Sequence, residues 1–154
     1  MKVSKKSDYA LRVLFSLVEQ YKQGPISIRE LANRNHVPKR FLEHILLDLK
    51  SQDWVDSKPG KSGGYLLAKD PQEINMGQVV RFFDNLLAPI NCVSVSKYEK
   101  CILEVDCRFR RIFLQIRNET AHLMDNASLA SIFAGQPVQE REVFDETLMG
   151  GAGI

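Results

Sequence analysis

Three cysteines, Cys92, Cys101 and Cys107, fall in the pattern C-x8-C-x5-C in a chain that has no other cysteine. Thiolates are the ligands of iron–sulfur clusters and of structural zinc, and three within 16 residues are hard to explain by packing alone. An odd number makes a poor disulfide framework. The N-terminus, Met-Lys-Val-Ser-Lys-Lys-Ser-Asp, turns amphipathic with no apolar core or cleavage site, so no export signal is visible and a cytoplasmic setting is expected. Reduced thiols, open to metal or redox chemistry, follow from that setting. Cys107 also follows Asp106 at the expected start of a long helix, where the macrodipole favours a thiolate. On these residues alone an iron–sulfur cluster and zinc both remain open, with three inert thiols as the weakest alternative.

A second set of residues suits a polyanion. The net charge is only +2, yet residues 1–64 carry 12 Lys+Arg against 7 Asp+Glu, while residues 65–154 carry 9 against 12. A basic half joined to an acidic half implies an anionic partner for one part only. Within the basic half, Lys39, Arg40, Glu43 and His44 sit at the start of one helical pattern. Lys58, Lys61 and Ser62 lie in the glycine-rich stretch Lys58-Pro59-Gly60-Lys61-Ser62-Gly63-Gly64, and Arg29 opens a shorter helix upstream.

The elements that must hold these residues are legible in the hydrophobic pattern. Residues 4–21 place Ala10, Leu11, Leu14, Leu17, Val18 and Tyr21 at helical spacing, and Gly24-Pro25 ends the run. Ser27-Ile28-Arg29-Glu30 predicts a capping box in which serine and glutamate each satisfy a free amide, opening a helix from Ile28 to Arg34. Asn35-His36-Val37 makes a three-residue turn, and Pro38 suits the first position of the next helix, which runs to about Ser51 on a stripe of Phe41, Leu42, Ile45, Leu46 and Leu49. Trp54–Ser57 and Tyr65–Leu67 then read as two strands joined by the basic glycine-rich tip. Two short helices, a tight turn and a hairpin form a winged helix-turn-helix, whose second helix enters a major groove by its first turns. The wing lysines suit phosphates, with Ser62 and glycine amides assisting, and Glu43 suits a cytosine amino group.

Beyond the hairpin, a capped helix opens at Asn75 and carries Val79, Val80, Phe82, Phe83 and Leu86. Residues 88–105 lack a sustained period and bear Cys92 and Cys101. A long helix from Asp106 follows, with Ile112, Phe113, Ile116, Thr120, Leu123 and Met124 along one side, then a possible turn over Leu129–Phe133. Residues 136–154, ending Gly-Gly-Ala-Gly-Ile, read as a disordered tail.

The sequence resembles the IscR/NsrR/RirA-type winged-helix transcriptional regulators of bacteria from residue 1 to about residue 133. The resemblance rests on Ser7-Asp8-Tyr9-Ala10-Leu11-Arg12, Ile28-Arg29-Glu30-Leu31-Ala32, Phe41-Leu42-Glu43-His44-Ile45-Leu46, and most specifically Lys58-Pro59-Gly60-Lys61-Ser62-Gly63-Gly64-Tyr65-Leu66-Leu67-Ala68. It implies a homodimer built on the long helix and an iron–sulfur cluster on Cys92, Cys101 and Cys107. It also implies Asp8 as a fourth ligand, from the position at which some members donate an aspartate across the dimer. The first cysteine interval is longer than members commonly show. Some members place a histidine three residues after the last cysteine; here that residue is Arg110, which cannot ligate. His122 lies 15 residues beyond Cys107, about 22 Å along a helix, so it cannot replace that histidine. Glu104 and Asp106 are the fallback ligands. With Asp8 present and the histidine absent, a 4Fe–4S cluster is favoured and 2Fe–2S stays possible.

The chain of 154 residues and 17.5 kDa, 44% apolar and 26% charged, has globular composition and no apolar run long enough to span a membrane. No Cys-x-x-Cys pair, phosphate-binding glycine loop or Ser/His/Asp set supports an enzyme. The expected architecture is mainly α with a small β-hairpin wing. Residues 1–87 form the winged helix-turn-helix unit, 88–105 the cysteine loop, 106–133 the dimerisation helix with a short terminal helix, and 134–154 a tail. The expected function is a homodimeric regulator of a pseudo-palindromic double-stranded DNA operator, controlled by the cluster. A thiol-based or zinc-stabilised regulator, or a metal-binding redox or interaction module, is the alternative.

Overall fold

The computed structural model describes residues 2–84 and 88–143. Helix α1 (Lys5–Glu19) opens at Ser4, whose hydroxyl accepts from the Ser7 amide at 3.2 Å. Ala10, Val13, Leu14 and Leu17 recur at helical spacing and are fully buried, so α1 is the central strut of the core. It ends sooner than Gly24-Pro25 suggests, because Lys22 already takes a left-handed turn at φ 64°.

Helices α2 (Ile28–Asn35) and α3 (Lys39–Ser51) follow as the sequence predicts, with three corrections. The Ser27 hydroxyl accepts the Glu30 amide at 3.2 Å, but the Glu30 carboxylate turns away to Arg34, so the capping box closes on one side only. A charged partner one turn along outbids a neutral amide. Pro38 is the N-cap of α3 rather than its first helical residue, and no side chain caps that end. Phe41 does not hold α3 to the domain. It is 43% exposed and meets Tyr9 in an edge-on ring contact, centres 5.8 Å apart, whereas Leu42, Ile45, Leu46 and Leu49 are buried. Between the two helices His36 takes the left-handed conformation at φ 51°, and the Asn35 amide donates to the Leu31 carbonyl (2.9 Å) and the Ser16 hydroxyl (3.0 Å), locking the turn to α1.

Strands β1 (Val55–Lys58) and β2 (Gly64–Leu67) pair antiparallel, from Val55 opposite Leu67 to Lys58 opposite Gly64. Ile26 brings a third chain segment to the hairpin, exchanging amide hydrogen bonds of 2.9 and 2.8 Å with Tyr65. The approach is close at Gly64, where a Cβ would sit 2.2 Å from the Ile26 carbonyl oxygen, so only glycine fits. The wing is thus fastened to the strand-like entry of α2.

Helix α4 (Met76–Asp84) opens with a capping box closed on both sides: the Gln78 amide donates to Asn75 at 2.8 Å, and the Asn75 amide to Gln78 at 2.9 Å. Val79 and Val80 are buried, and Phe82 meets Trp54 edge-on, 5.8 Å between ring centres. Leu86 lies outside the described residues. A 3-10 turn (Asn91–Val93) precedes α5 (Phe109–Asn126), which starts later than Asp106 because residues 102–106 form turns instead. Helix α6 (Leu129–Ala134) is confirmed. A short helix α7 (Glu140–Val143) stands inside the expected tail, and residues 144–154 are outside the described residues.

The chain returns to its own core after α5. Met76 donates to Ala127 at 2.9 Å and Leu129 to Ile74 at 2.8 Å, forming a bridge between Asn75 and Ser128. Leu129 is buried among the residues of α1, and Phe133 stacks near Phe15 at 5.3 Å. Arg81 of α4 grips Asp125 of α5 with two bonds of 2.6 Å, which holds the Asp125 carboxyl below the usual carboxylate range. Among the described residues no helix is long and apolar enough to cross a membrane.

Candidate nucleic-acid interface and metal centre

The burial of Leu42, Ile45, Leu46 and Leu49 turns the opposite side of α3 to solvent. Lys39, Arg40, Glu43 and His44 are all exposed there, at the end of the helix that no side chain caps. Lys58, Lys61 and Ser62 are exposed on the wing, and Arg29 is exposed on α2. Ion pairing separates this set from Arg34 and Lys50 on the same two helices and from Lys6 and Arg12 on α1. Lys6 pairs with Asp48, Arg12 with Asp8, Arg34 with Glu30 and Lys50 with Asp56. Among the described residues no carboxylate reaches salt-bridge distance of Arg29, Lys39, Arg40, Lys58 or Lys61. Cations left without internal partners on a helix-turn-helix reading head and its wing are suited to phosphate oxygens and base edges.

The cysteine segment is built differently. Cys92 is buried on the 3-10 turn, packed with Ala88 and Val93 against Phe113 and Leu114 of α5. Cys107 is partly buried just before α5, and Cys101 is exposed. Cys92 and Cys107 line one cavity of about 340 Å³ with Arg110 and Leu114; Cys92 and Cys101 line a second of about 460 Å³ with Glu99 and Lys100. Cys92 is the hinge of the set. Among the described residues the three thiols are not gathered into one ligand group. The donors fit an iron–sulfur cluster in chemistry, three soft thiols on one loop sharing cavities around Cys92, while the last step of gathering them is not made within this protomer.

The favoured acidic ligand Asp8 and the fallbacks Glu104 and Asp106 are placed apart. Asp8 lies on α1, gripped by Arg12 through bonds of 3.0 and 2.6 Å, and lines a hollow with Val3, Lys5 and Met76 that contains no cysteine. Glu104 accepts both ways from the Tyr98 hydroxyl, at 2.9 and 2.8 Å, and faces Arg110 at 3.7 Å. The Tyr98 hydrogen bond holds the Glu104 carboxyl below the usual carboxylate range, and the same bond raises the Tyr98 phenol. Asp106 is exposed. Arg110 has a role that its inability to ligate did not suggest: it donates twice to the Cys92 carbonyl, at 3.2 and 3.1 Å, and ties the cysteine loop to the first turn of α5. His122 is exposed beside Asn126 at the far end of that helix.

No residue of α5 is buried within the protomer. Phe109, Ile112, Ile116 and Leu123 share one outward face, 44–76% exposed. Phe113 belongs elsewhere: it turns inward to the Cys92 cluster, which corrects its placement on the outward stripe. Phe109 was missed, although it stands three residues before Ile112 and continues the same face.

Known proteins match this chain over nearly its whole length. An rrf2-like HTH-type transcriptional regulator of Rhodobacter capsulatus is 37% identical over 142 residues, covering 88% of this chain and 95% of that protein. The HTH-type transcriptional regulator CymR of Bacillus subtilis is 25% identical, covering 86% of this chain and 89% of that protein. The HTH-type transcriptional regulator NsrR of Bacillus licheniformis is 26% identical, covering 88% and 94%. The solved structure of CymR, titled the global cysteine regulator of B. subtilis, superposes with a TM-score of 0.74 at 23% identity, covering 89% of this chain and 99% of that one, which shows the shared fold. The Rrf2 family model, described as an iron-dependent transcriptional regulator, matches residues 3–135. Helix-turn-helix, wing, long C-terminal helix and that match together place this chain in the Rrf2 family of winged-helix transcriptional regulators.

Proposed function

We propose that this chain is a homodimeric operator-binding regulator whose DNA affinity depends on an iron–sulfur cluster held by Cys92, Cys101 and Cys107. The observation that carries the DNA half is the set of exposed, internally unpaired cations at the start of α3 and on the wing. Two such heads in a symmetric dimer suit a pseudo-palindrome with half-sites one or two turns apart, about 34 Å per turn. The dimer is supported by the outward face of α5, too apolar to stay in water.

For the sensing half, the three thiols supply the soft ligands. Asp8 of the partner subunit is the favoured fourth ligand, in keeping with its absence from the cysteine cavities of its own protomer. A bound cluster would supply sensitivity to iron, cluster supply, nitric oxide or oxidants. The chain's own residues position the site: Arg110 holds the Cys92 carbonyl, and Glu104 with Tyr98 closes the loop around it. A cluster-free thiol regulator is the second reading, favoured by the cavity that Cys92 shares with Cys101 and by the likeness to CymR.

Anaerobic purification with iron and sulfide analysis separates the two. A brown dimer with iron and acid-labile sulfide, lost in each of Cys92→Ala, Cys101→Ala and Cys107→Ala while far-ultraviolet circular dichroism stays helical, is the expected result. Asp8→Ala should shift the spectrum or lability of the cluster and do less harm. A colourless protein without iron and sulfide sinks the cluster reading and leaves the thiol reading standing.

A further inference from the structure

We propose that Leu47 reads a thymine methyl group in the operator and is a specificity residue of the reading head. The inference rests on α3 being the recognition helix. Arg40, Glu43, His44 and Leu47 are spaced i, i+3, i+4, i+7, which places them along one side of α3, and all four are exposed. Helices lying in a major groove present this same side to base edges. The first three side chains are polar, and each has a hydrogen-bonding counterpart in the groove. Leu47 has none. It is 62% exposed and stands apart from the buried stripe of Leu42, Ile45, Leu46 and Leu49 that fastens the helix to the core.

The major groove offers one apolar feature to such a side chain, the C5 methyl of thymine. An isobutyl group set against it removes apolar surface from water on both partners, whereas over a cytosine, which lacks the methyl, the same group gains less. Leu47 also borders a hollow with Lys6, Phe41, His44 and Asp48 on the side toward α1. Lys6 and Asp48 of that hollow are engaged with each other in an ion pair at 2.7 Å. The reading head would then discriminate in two ways: Glu43 against bases without an amino donor, and Leu47 against pyrimidines without a methyl.

The test starts from an operator selected out of random duplexes by the full-length dimer. Each thymine of one half-site is replaced in turn by deoxyuridine, which removes the methyl and nothing else. For the parent protein one thymine should prove sensitive, losing about 4-fold in affinity. Leu47→Ala should lose a comparable factor on the intact operator and become indifferent to that replacement, with sedimentation showing an unchanged dimer. Leu47→Gln should select adenine at the same position, because its amide pairs with the adenine edge. The proposal is overturned if Leu47→Ala binds as tightly as the parent, or if both proteins respond alike to every deoxyuridine. Should Lys39→Ala/Arg40→Ala keep parental affinity and salt dependence, the reading of α3 as the recognition helix fails, not Leu47 alone.

Discussion

The reading head and the C-terminal arm have opposite relations to solvent. In the head, α1 to α4 and the wing bury Leu14, Leu17, Leu31, Leu42, Ile45, Leu46, Leu49 and Val79 almost completely, and α6 adds Leu129. In the arm, no residue of α5 is fully buried, and the loop before it exposes Val95, Ile102, Leu103 and Val105. One region has completed its core within a single chain. The other has the same kind of side chains and, beyond the small cluster around Cys92, leaves them without a complement in the protomer. Foldability therefore resides in the head, while the arm carries apolar surface that a further partner must cover, in the proposed function a second copy of the chain.

That contrast breaks most visibly at Ile116. Ile116→Glu puts a carboxylate in the middle of the outward face of α5 and should yield monomers or insoluble protein by sedimentation. Losing the linked second head should cost operator affinity about 100-fold or more. A soluble dimer from this variant would place the interface elsewhere. Leu46→Ala probes the other side of the contrast: a cavity in the head should lower unfolding stability by about 2–5 kcal/mol in denaturant titration. Ile112→Ala, matched in size of deletion, should leave the head's unfolding transition in place and weaken the dimer instead, read as a midpoint that depends on protein concentration.

Smaller effects come from the polar clasps that fasten the arm. The Arg81–Asp125 pair is half-exposed on both sides, so Asp125→Asn should cost only about 0.2–1 kcal/mol. Because Asp125 is held below its ordinary value, its contribution is present above the usual carboxylate range and is lost as pH falls through the lowered value. Acid titration of the parent against Asp125→Asn measures this difference, which should vanish at the acid end. The Tyr98–Glu104 bond should fail at both extremes. It is lost when Glu104 gains a proton below its lowered value, and again when Tyr98 loses one above its raised value. Hydrogen exchange of the loop amides, compared with Tyr98→Phe, tracks that window; a loop equally protected in both proteins would show that the clasp does not order it.

What the sequence made legible was local. The wing followed from a change of period to two residues around a glycine-rich tip, and α4 from the Asn75 and Gln78 cap, each a signal confined to a few residues. Glu30 was misplaced because Arg34, one turn along, competes for its carboxylate, and a capping pattern carries no information about that competitor. Phe41 was misplaced for a related reason: period assigns a stripe, but the width of what packs against it is set by α1. The apolar arc of α5 is wide enough to serve two partners, so spacing could not divide Phe113, facing Cys92, from Phe109, facing outward. Arg110 was read for what it cannot ligate, while its bond to the Cys92 carbonyl joins residues 18 apart and leaves no mark in a pattern. The exposure of the candidate DNA-facing residues was easier to foresee, because it is a property of their own helix or turn.

The bridge between Asn75 and Ser128 gives the arm a mechanical character. A segment joined to its domain at one point is a tether, and it conveys nothing except its length. Here the chain leaves through α4 and comes back beside the start of α4, so the intervening residues close into a frame. One side of that frame is α5, 18 residues or about 27 Å of stiff rod. Arg81 clamps its far end to the head, and Arg110 clamps its near end to the cysteine loop. In the proposed dimer, a rearrangement of the loop around Cys92 would pull on the rod through Arg110 and so bear on the distance between the two reading heads. That proposed dimer would act as a caliper, and operators that differ only in spacer length are the scale on which its setting can be read.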